Sequence, residues 1–271
     1  MPELPEVETS RRGVLPHIKG STLAQLIVRQ PKLRWPIESH LPETLAGNRL
    51  NNIRRRGKYM LFDFEAGTVL IHLGMSGSVR ILTQDVEVTK HDHFDMLFSN
   101  GNCLRFNDPR RFGSLLWAGQ NPLEHSLISK LGPEPLDEDF GGEYCYQKSR
   151  GKRIAIKQFI MDSHLVVGVG NIYANESLFK AGIHPSRQAG KVSLKRYLVL
   201  AQIIKEVLSE AIEQGGTSLK DFTNADGKPG YFKQQLAVYG RGGEPCVQCN
   251  TSLKEVRHNN RATVYCSKCQ K

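Results

Sequence analysis

Apolar positions in the first half of the chain recur with a period of two, in short runs set off by turn residues. Leu23–Val28, Leu50–Ile53, Met60–Phe64, Thr68–His72 and Val79–Leu82 each read as a strand. Glu65-Ala66-Gly67 predicts a hairpin between two of them. His93–Phe98 and Cys103–Phe106 flank Ser99-Asn100-Gly101-Asn102, and Asn-Gly inside such a pair is a strong turn signal. Short strands at this spacing predict an antiparallel sandwich. A helix precedes them and is expected to break near Gly13 and Pro16.

Further along, the period lengthens to that of a helix. Helices are predicted over Arg153–Met161, Asn171–Ala181 and Leu194–Gln214, the last with Ser193 as N-cap and Gly215-Gly216 as its stop. Between the two regimes, Leu131-Gly132-Pro133-Glu134-Pro135-Leu136 and Gly141-Gly142 read as a linker. The predicted fold class is therefore α+β. An N-terminal antiparallel β-sandwich domain with flanking helices spans 1–130, a linker 131–150, a helical domain 151–232, and a small finger 236–271. Residues 217–232 are rich in Gly, Asp and Lys with few apolar anchors. A loop of that length is either functional or mobile.

Charge narrows the partner. The formal net charge is +10 and the pI about 9.4, which points to a polyanion. No apolar run approaches the roughly 18 residues of a membrane span, and no basic amphipathic helix with a bulky apolar face is evident. Nucleic acid is thus favoured over a membrane surface. No signal-peptide pattern opens the sequence, so a cytoplasmic location is expected.

Four of the six cysteines form two CxxC pairs, Cys246/Cys249 and Cys266/Cys269, with 16 residues between the pairs. Four thiolates in paired knuckles predict a closed tetrahedral site for one structural Zn2+; iron in the same cage is the lesser alternative. A closed site has no open position for water, so the metal is assigned to folding. From Arg241 to Lys271 there are six Lys/Arg against two Glu, so the finger is basic. Arg261 falls after Asn259-Asn260, at a predicted hairpin tip.

Other polar motifs carry candidate chemistry. Met1 precedes a small residue and is expected to be removed, leaving Pro2 with a free secondary amine. Such an amine is a nucleophile, and its attack on a sugar carbon gives a cationic iminium, an electron sink. Glu3 and Glu6 beside it suit proton transfer; the plainer reading is a Pro-capped helix start with acids in its first turn. Arg54-Arg55-Arg56-Gly57-Lys58-Tyr59 is a basic run of the kind phosphate contacts need. Met75 stands between glycines in His72-Leu73-Gly74-Met75-Ser76-Gly77-Ser78. Asn107-Asp108-Pro109-Arg110-Arg111-Phe112-Gly113 predicts a turn exposing two arginines and an aromatic. Lys90-His91-Asp92-His93 lacks a further ligand nearby, which argues against metal there. Arg150, Lys152 and Arg153 form another basic cluster. Gly168 and Gly170 just ahead of a helix leave amides for a phosphate.

The opening Met-Pro-Glu-Leu-Pro-Glu-Val-Glu-Thr resembles that of the formamidopyrimidine-DNA glycosylase family, and the resemblance runs essentially end to end. It implies a monomeric base-excision repair enzyme with a helix-two-turn-helix element and a zinc finger. Its partner would be double-stranded DNA containing oxidised purines, met at the bacterial nucleoid. Pro2 would be the nucleophile, Glu3 a proton shuttle supported by Glu6, Lys58 a proton carrier in elimination, and Arg261 a ligand of the lesion phosphate. Met75, Arg110 and Phe112 match the trio the family inserts into the duplex; an apolar wedge unstacks a base step and an arginine fills the hole. His91, Arg153, Asn171 and Lys157 would contact DNA. The 217–232 loop would cover the flipped base, with Lys220 and Tyr239 as further contacts of the pocket. An endonuclease VIII-type enzyme for oxidised pyrimidines would share the nucleophile and finger but carry a different trio. A zinc-ribbon DNA-binding protein without catalysis is the rival of another class.

Overall fold

The computed structural model describes residues 2–83, 86–215 and 236–271. They divide into one compact unit over 2–130 and a second over 131–213 and 236–271.

The first unit begins with α1 (Leu4–Ile18) and continues through β1 (Leu23–Val28), α2 (Leu41–Leu45), β2 (Leu50–Arg56), β3 (Tyr59–Phe64), β4 (Gly67–His72), β5 (Ser78–Thr83), β6 (Asp92–Phe98), β7 (Asn102–Asn107) and β8 (Ser114–Gly119). The strands form two antiparallel four-stranded sheets, ordered β1-β6-β7-β5 and β2-β3-β4-β8. Their facing residues make one core. Val7, Val14 and Ile18 of α1 join Leu26, Phe94 and Phe106 from one sheet and Ile53, Phe62 and Ile71 from the other. Phe94 and Phe106 pair across strands with rings stacked at 4.8 Å. Each such fully buried side chain contributes about 1.5–3 kcal/mol, which is what fixes strand register here.

Two details depart from the sequence reading. Helix α1 does not break at Gly13 or Pro16 but runs to Ile18. Pro16 falls in its last turn, where it removes one amide from the ladder, that facing the Arg12 carbonyl, without ending the helix. Strand β8 is an additional strand, pairing β4 from His72↔Ser114 to Thr68↔Gly119. Its Leu115-Leu116-Trp117 run has no clean alternation to announce it.

The second unit contains α3 (Gly142–Ser149), α4 (Ile156–Ile160), α5 (Asn171–Lys180), α6 (Leu194–Glu213) and the hairpin β9 (Lys254–His258)–β10 (Arg261–Tyr265). The stretch read as a linker holds α3. Gly142, at its start, lies so close to α6 that a Cβ would stand 2.3 Å from Leu198 Cα, so this glycine serves helix packing. Helix α4 is shorter than predicted. Ser193 Oγ accepts the Arg196 amide at 3.4 Å, as its N-cap position at the head of α6 predicts. Among the described residues, no helix is long and apolar enough to cross a membrane.

Candidate active site and nucleic-acid interface

The chain's beginning is held by a reciprocal cap. Glu3 is the N-cap of α1; its side chain accepts the Glu6 amide, and Glu6 Oε2 accepts the Glu3 amide at 2.8 Å. Both carboxylates are buried. Each is thus a structural cap as well as a candidate acid, and Pro2 enters the site along a fixed backbone. One turn on, Glu8 accepts Arg11, Arg12 and Arg55. Burial pushes the Glu8 carboxyl up, but these three guanidinium groups outweigh it and bring it down to about 2.

Lys58 sits in the two-residue turn closed by the Arg56↔Tyr59 pair, with Gly57 at φ 57. Across the sheet from Tyr59 stands His72, the two rings 4.8 Å apart. His72 Nδ1 accepts the Gly74 amide at 2.9 Å, which leaves the neutral ring's proton on Nε2. Burial, then the charges of Lys58 and Arg34, lowers His72 to about 4. His72 in turn pairs with Ser114. The row Tyr59–His72–Ser114 is therefore the common base from which the Lys58 turn, the Met75 loop and the Phe112 loop depart.

Met75 and Phe112, 39% and 43% exposed, are large apolar side chains at loop tips, and the Arg110 guanidinium lies 4.9 Å from the Phe112 ring centroid. One buried carboxylate ties the two loops together. Asp108 accepts Ser76 Oγ at 2.8 Å and the Arg110 amide at 3.2 Å on Oδ1, and the Gly113 amide at 2.8 Å on Oδ2. The loops also touch backbone to backbone. Gly74, at φ 66, has no room for a Cβ, which would stand 2.4 Å from Gly113 N. His91 lies to one side of this assembly, in a small cleft it shares with Arg111.

In the second unit, Asn171 opens α5 behind the N-cap Gly170, which offers no side-chain cap. The Asn171 side-chain oxygen is buried with no partner among the described residues. Arg153 is exposed. Tyr239 has its amide fixed by Glu176, whose buried carboxylate also accepts the amides of Ala237 and Val238. The sequence reading places Lys157 on a phosphate path. Instead its ammonium is buried and donates to Ala262 O at 2.7 Å and Thr263 Oγ1 at 2.8 Å. Lys157 thus clamps the hairpin that carries Arg261. Asn259 and Asn260, at φ 48 and 60, form the tip, and exposed Arg261 follows them. Arg261, His258, Lys157 and Met161 line one side-chain cleft of about 370 Å3. Lys220 lies outside the described residues, as does the loop 217–232.

The four cysteine sulfurs of the finger lie within 4.8 Å of one another, Cys249 and Cys266 at 3.5 Å and Cys246 and Cys269 at 3.9 Å. A tetrahedral zinc with bonds of about 2.3 Å sets sulfur separations of about 3.8 Å, so the cage fits the ion.

Comparison with known proteins agrees along the whole chain. The formamidopyrimidine-DNA glycosylase N-terminal domain matches residues 1–115, the H2TH domain of the same enzymes 131–223, and the zinc finger found in FPG and IleRS 243–271. Proteins named formamidopyrimidine-DNA glycosylase from Marinobacter nauticus and Methylococcus capsulatus are 57% and 56% identical over 271 residues, covering 100% of both chains in each case. The chain belongs to the formamidopyrimidine-DNA glycosylase family. Among solved structures, the MutM (FPG) protein of Thermus thermophilus superposes with a TM-score of 0.89 at 37% identity, over 99% of this chain and 98% of that one. The Lactococcus lactis Fpg in complex with DNA containing an abasic site gives 0.93 at 34%, over 100% of both. As a family member the chain holds one structural zinc on Cys246, Cys249, Cys266 and Cys269. The α+β class with an N-terminal antiparallel sandwich, a helical H2TH domain and a four-cysteine finger stands as predicted.

Three residues of this glycosylase escaped the sequence reading: Asp108, Glu176 and Thr263. Each is buried and bonds to backbone or to a clamp lysine. Glu176 alone left a trace, as the one acid in α5.

Proposed function

We propose that this chain is a base-excision repair enzyme that removes oxidised purines from double-stranded DNA and then cleaves the strand. Removal of Met1 exposes the Pro2 amine. The amine attacks C1′ of an extruded nucleotide, the bond from C1′ to the base breaks, and the base leaves with a proton. Glu3 delivers a proton to the ring oxygen, the sugar opens, and the Pro2 nitrogen becomes an iminium. That cation draws electrons from C2′, whose proton is lost as the C3′–O bond breaks; a second elimination loses the C4′ proton as the C5′–O bond breaks. Lys58 carries protons in these steps and Arg261 holds the lesion phosphate. Met75, Arg110 and Phe112 enter the duplex and offset the cost of extrusion, a few kcal/mol. His91, Arg153 and Asn171 hold backbone phosphates. The zinc, with four thiolates around it, supports the finger and takes no part in the reaction. The enzyme works on the nucleoid in the bacterial cytoplasm.

The observation that carries this reading is the cap on α1. The reciprocal bonds of Glu3 and Glu6 fix the backbone that follows Pro2, and they keep two buried carboxylates beside the amine, more than a helix start alone requires. The relatives of known structure, bound to Fapy-dG and abasic-site DNA, support the substrate class.

Borohydride reduction during turnover of an 8-oxoguanine duplex should leave a DNA adduct on the N-terminal peptide, and an oxidised-thymine duplex should react more slowly. Fully active enzyme that retains Met1, or no adduct on Pro2, defeats the reading.

A further inference from the structure

The run Arg54-Arg55-Arg56 ahead of Lys58 has the composition of a phosphate-binding stretch. Two of its three arginines are instead spent inside the protein. Arg54 is paired with Asp63 on β3, Nε to Oδ2 at 2.6 Å and Nη2 to Oδ1 at 2.9 Å. Arg55, on the opposite face of β2, reaches α1 and donates from Nε to Glu8 Oε2 at 3.2 Å. The Arg55 and Glu8 side chains are 12% and 9% exposed, so water competes little for this pair.

The same guanidinium makes a second bond. Arg55 Nη1 donates to Gly57 O at 3.1 Å. Gly57 and Lys58 are the two central residues of the turn between β2 and β3, with positive φ at Gly57 and not at Lys58, as in a type II′ turn. The Gly57 carbonyl belongs to the peptide plane that joins Gly57 to Lys58. Holding that oxygen holds the plane, and the plane sets where the Lys58 side chain starts. Arg11 makes a parallel tie. It donates to the two Glu8 oxygens at 2.7 and 3.0 Å, and from Nη1 to Ile53 O at 3.1 Å. Through Glu8, α1 is thus tied to β2 and to its turn, at Ile53 and at the residue just before Lys58. Glu8 belongs to the same helix whose beginning is capped by Glu3 and Glu6.

We propose that Glu8 and Arg55 are positioning residues for the eliminations, holding the peptide ahead of Lys58 in a fixed relation to the helix that follows Pro2. Arg55 takes no proton itself; it acts through Lys58. The inference rests on the proposed roles of Pro2 and Lys58. A misplacement of about 1 Å in a reacting group can cost on the order of 100-fold in rate, so a tether of this kind matters to chemistry.

The test is single-turnover cleavage of an abasic duplex by full-length, zinc-loaded protein at saturating enzyme. Thermal melting and affinity for a non-cleavable abasic analogue are measured alongside. Arg55→Met leaves Glu8 paired with Arg11 and Arg12, so no buried carboxylate is stranded. It should cleave about tenfold more slowly, with affinity changed by less than about threefold. Arg55→Lys keeps a cation for Glu8 but has no second nitrogen for Gly57 O, so it should be nearly as slow. In a Lys58→Met background, already slow, Arg55→Met should cost less than about a further twofold, because nothing is left for it to position. Glu8→Gln, which keeps an oxygen acceptor without the charge, goes through the same cycle as a second variant and should lose about threefold. Equal slowing by Arg55→Met in both backgrounds would mark a purely structural arginine and overturns the inference. Cleavage at the wild-type rate by Arg55→Lys overturns it too, since the bond to Gly57 O would then be dispensable. Borohydride trapping on the same duplex separates this from the repair function. Absence of a wild-type adduct at Pro2 would count against that function itself. Normal trapping, a slow Lys58→Met and an additive cycle remove only the positioning role.

Discussion

Ser76 donates its hydroxyl to Asp108 at 2.8 Å, joining two loops that lie 32 residues apart in sequence. The same carboxylate accepts the Gly113 amide from the second loop. Met75 and Phe112 are therefore not independent exposed side chains but two tips of one rigid body. Asp108 is fully buried, and it accepts every bond to its side chain.

Asp108→Asn tests that arrangement. The amide group would bring a donor against the Ser76 hydroxyl or the Gly113 amide, leaving one of them unsatisfied in a dry site. A lost hydrogen bond to a charged group costs about 1.5–3 kcal/mol. Excision from an intact lesion duplex should fall by at least tenfold, and fluorescence of a 2-aminopurine next to the lesion should lose its unstacking signal. Cleavage of an abasic site in single-stranded DNA, which needs no wedge, should change little. Equal loss on both substrates would mean that Asp108 supports the fold alone.

Acid stability should show two separate limbs. His72 is lowered to about 4 from an ordinary 6.5. Below 6.5 the unfolded chain binds this proton and the folded chain does not. The contribution is complete above 6.5 and is lost as pH falls towards 4, on the order of 2–3 kcal/mol in all. Glu8, at about 2 against 4.5, contributes in full above 4.5 and loses it as pH falls towards 2. Urea melts from pH 8 to 3 should therefore begin to weaken near 6.5. His72→Gln, which cannot titrate, should flatten the upper limb and spare the lower one. A wild-type curve flat between 6.5 and 5 contradicts the buried neutral His72.

The strands were legible because they follow period two between turn residues, and the cysteine pairs because metal knuckles have fixed local spacing. Asn100-Gly101 and Asn259-Asn260 announced their hairpins through residues that tolerate positive φ. What stayed hidden was carried by partners distant in sequence. Nothing near Lys157 tells that its ammonium meets Thr263, 106 residues away. Likewise Gly141-Gly142 has the composition of a joint, and only the proximity of Leu198 shows that the missing side chain of Gly142 makes space for α6. Local pattern predicts elements; it does not say which backbone will come within a Cβ's radius.

Lys157→Met follows from that clamp. Methionine keeps most of the volume but leaves Ala262 O and Thr263 Oγ1 without the ammonium. The hairpin should loosen where Arg261 leaves it. Hydrogen exchange across 258–264 should quicken by about tenfold or more, as the loss of two charge-assisted bonds permits. Release of the 3′-cleaved, 5′-uncleaved intermediate should rise relative to the fully cleaved product, because Arg261 is proposed to hold the lesion phosphate through the second elimination. Exchange at wild-type rates would show the hairpin held by other contacts.

Zinc removal should act on the finger without unfolding the sandwich. The apolar cluster behind the finger holds Phe179, Val238, Leu253 and Val264 beside the cysteines, too few side chains to offset the entropy of ordering the segment. Zinc in small four-ligand sites supplies an apparent 10–16 kcal/mol, roughly, to folding. Cys266→Ser, or chelation, should therefore melt the β9–β10 hairpin and carry Arg261 with it. The metal content should fall from one zinc per chain, affinity for abasic duplex should drop at least tenfold, and readdition of zinc should restore the chelated protein but not the variant. The sandwich draws its stability from the core between its own two sheets, so its melting transition should stay in place. Undiminished DNA binding by zinc-free protein would mean that the hairpin folds without its metal.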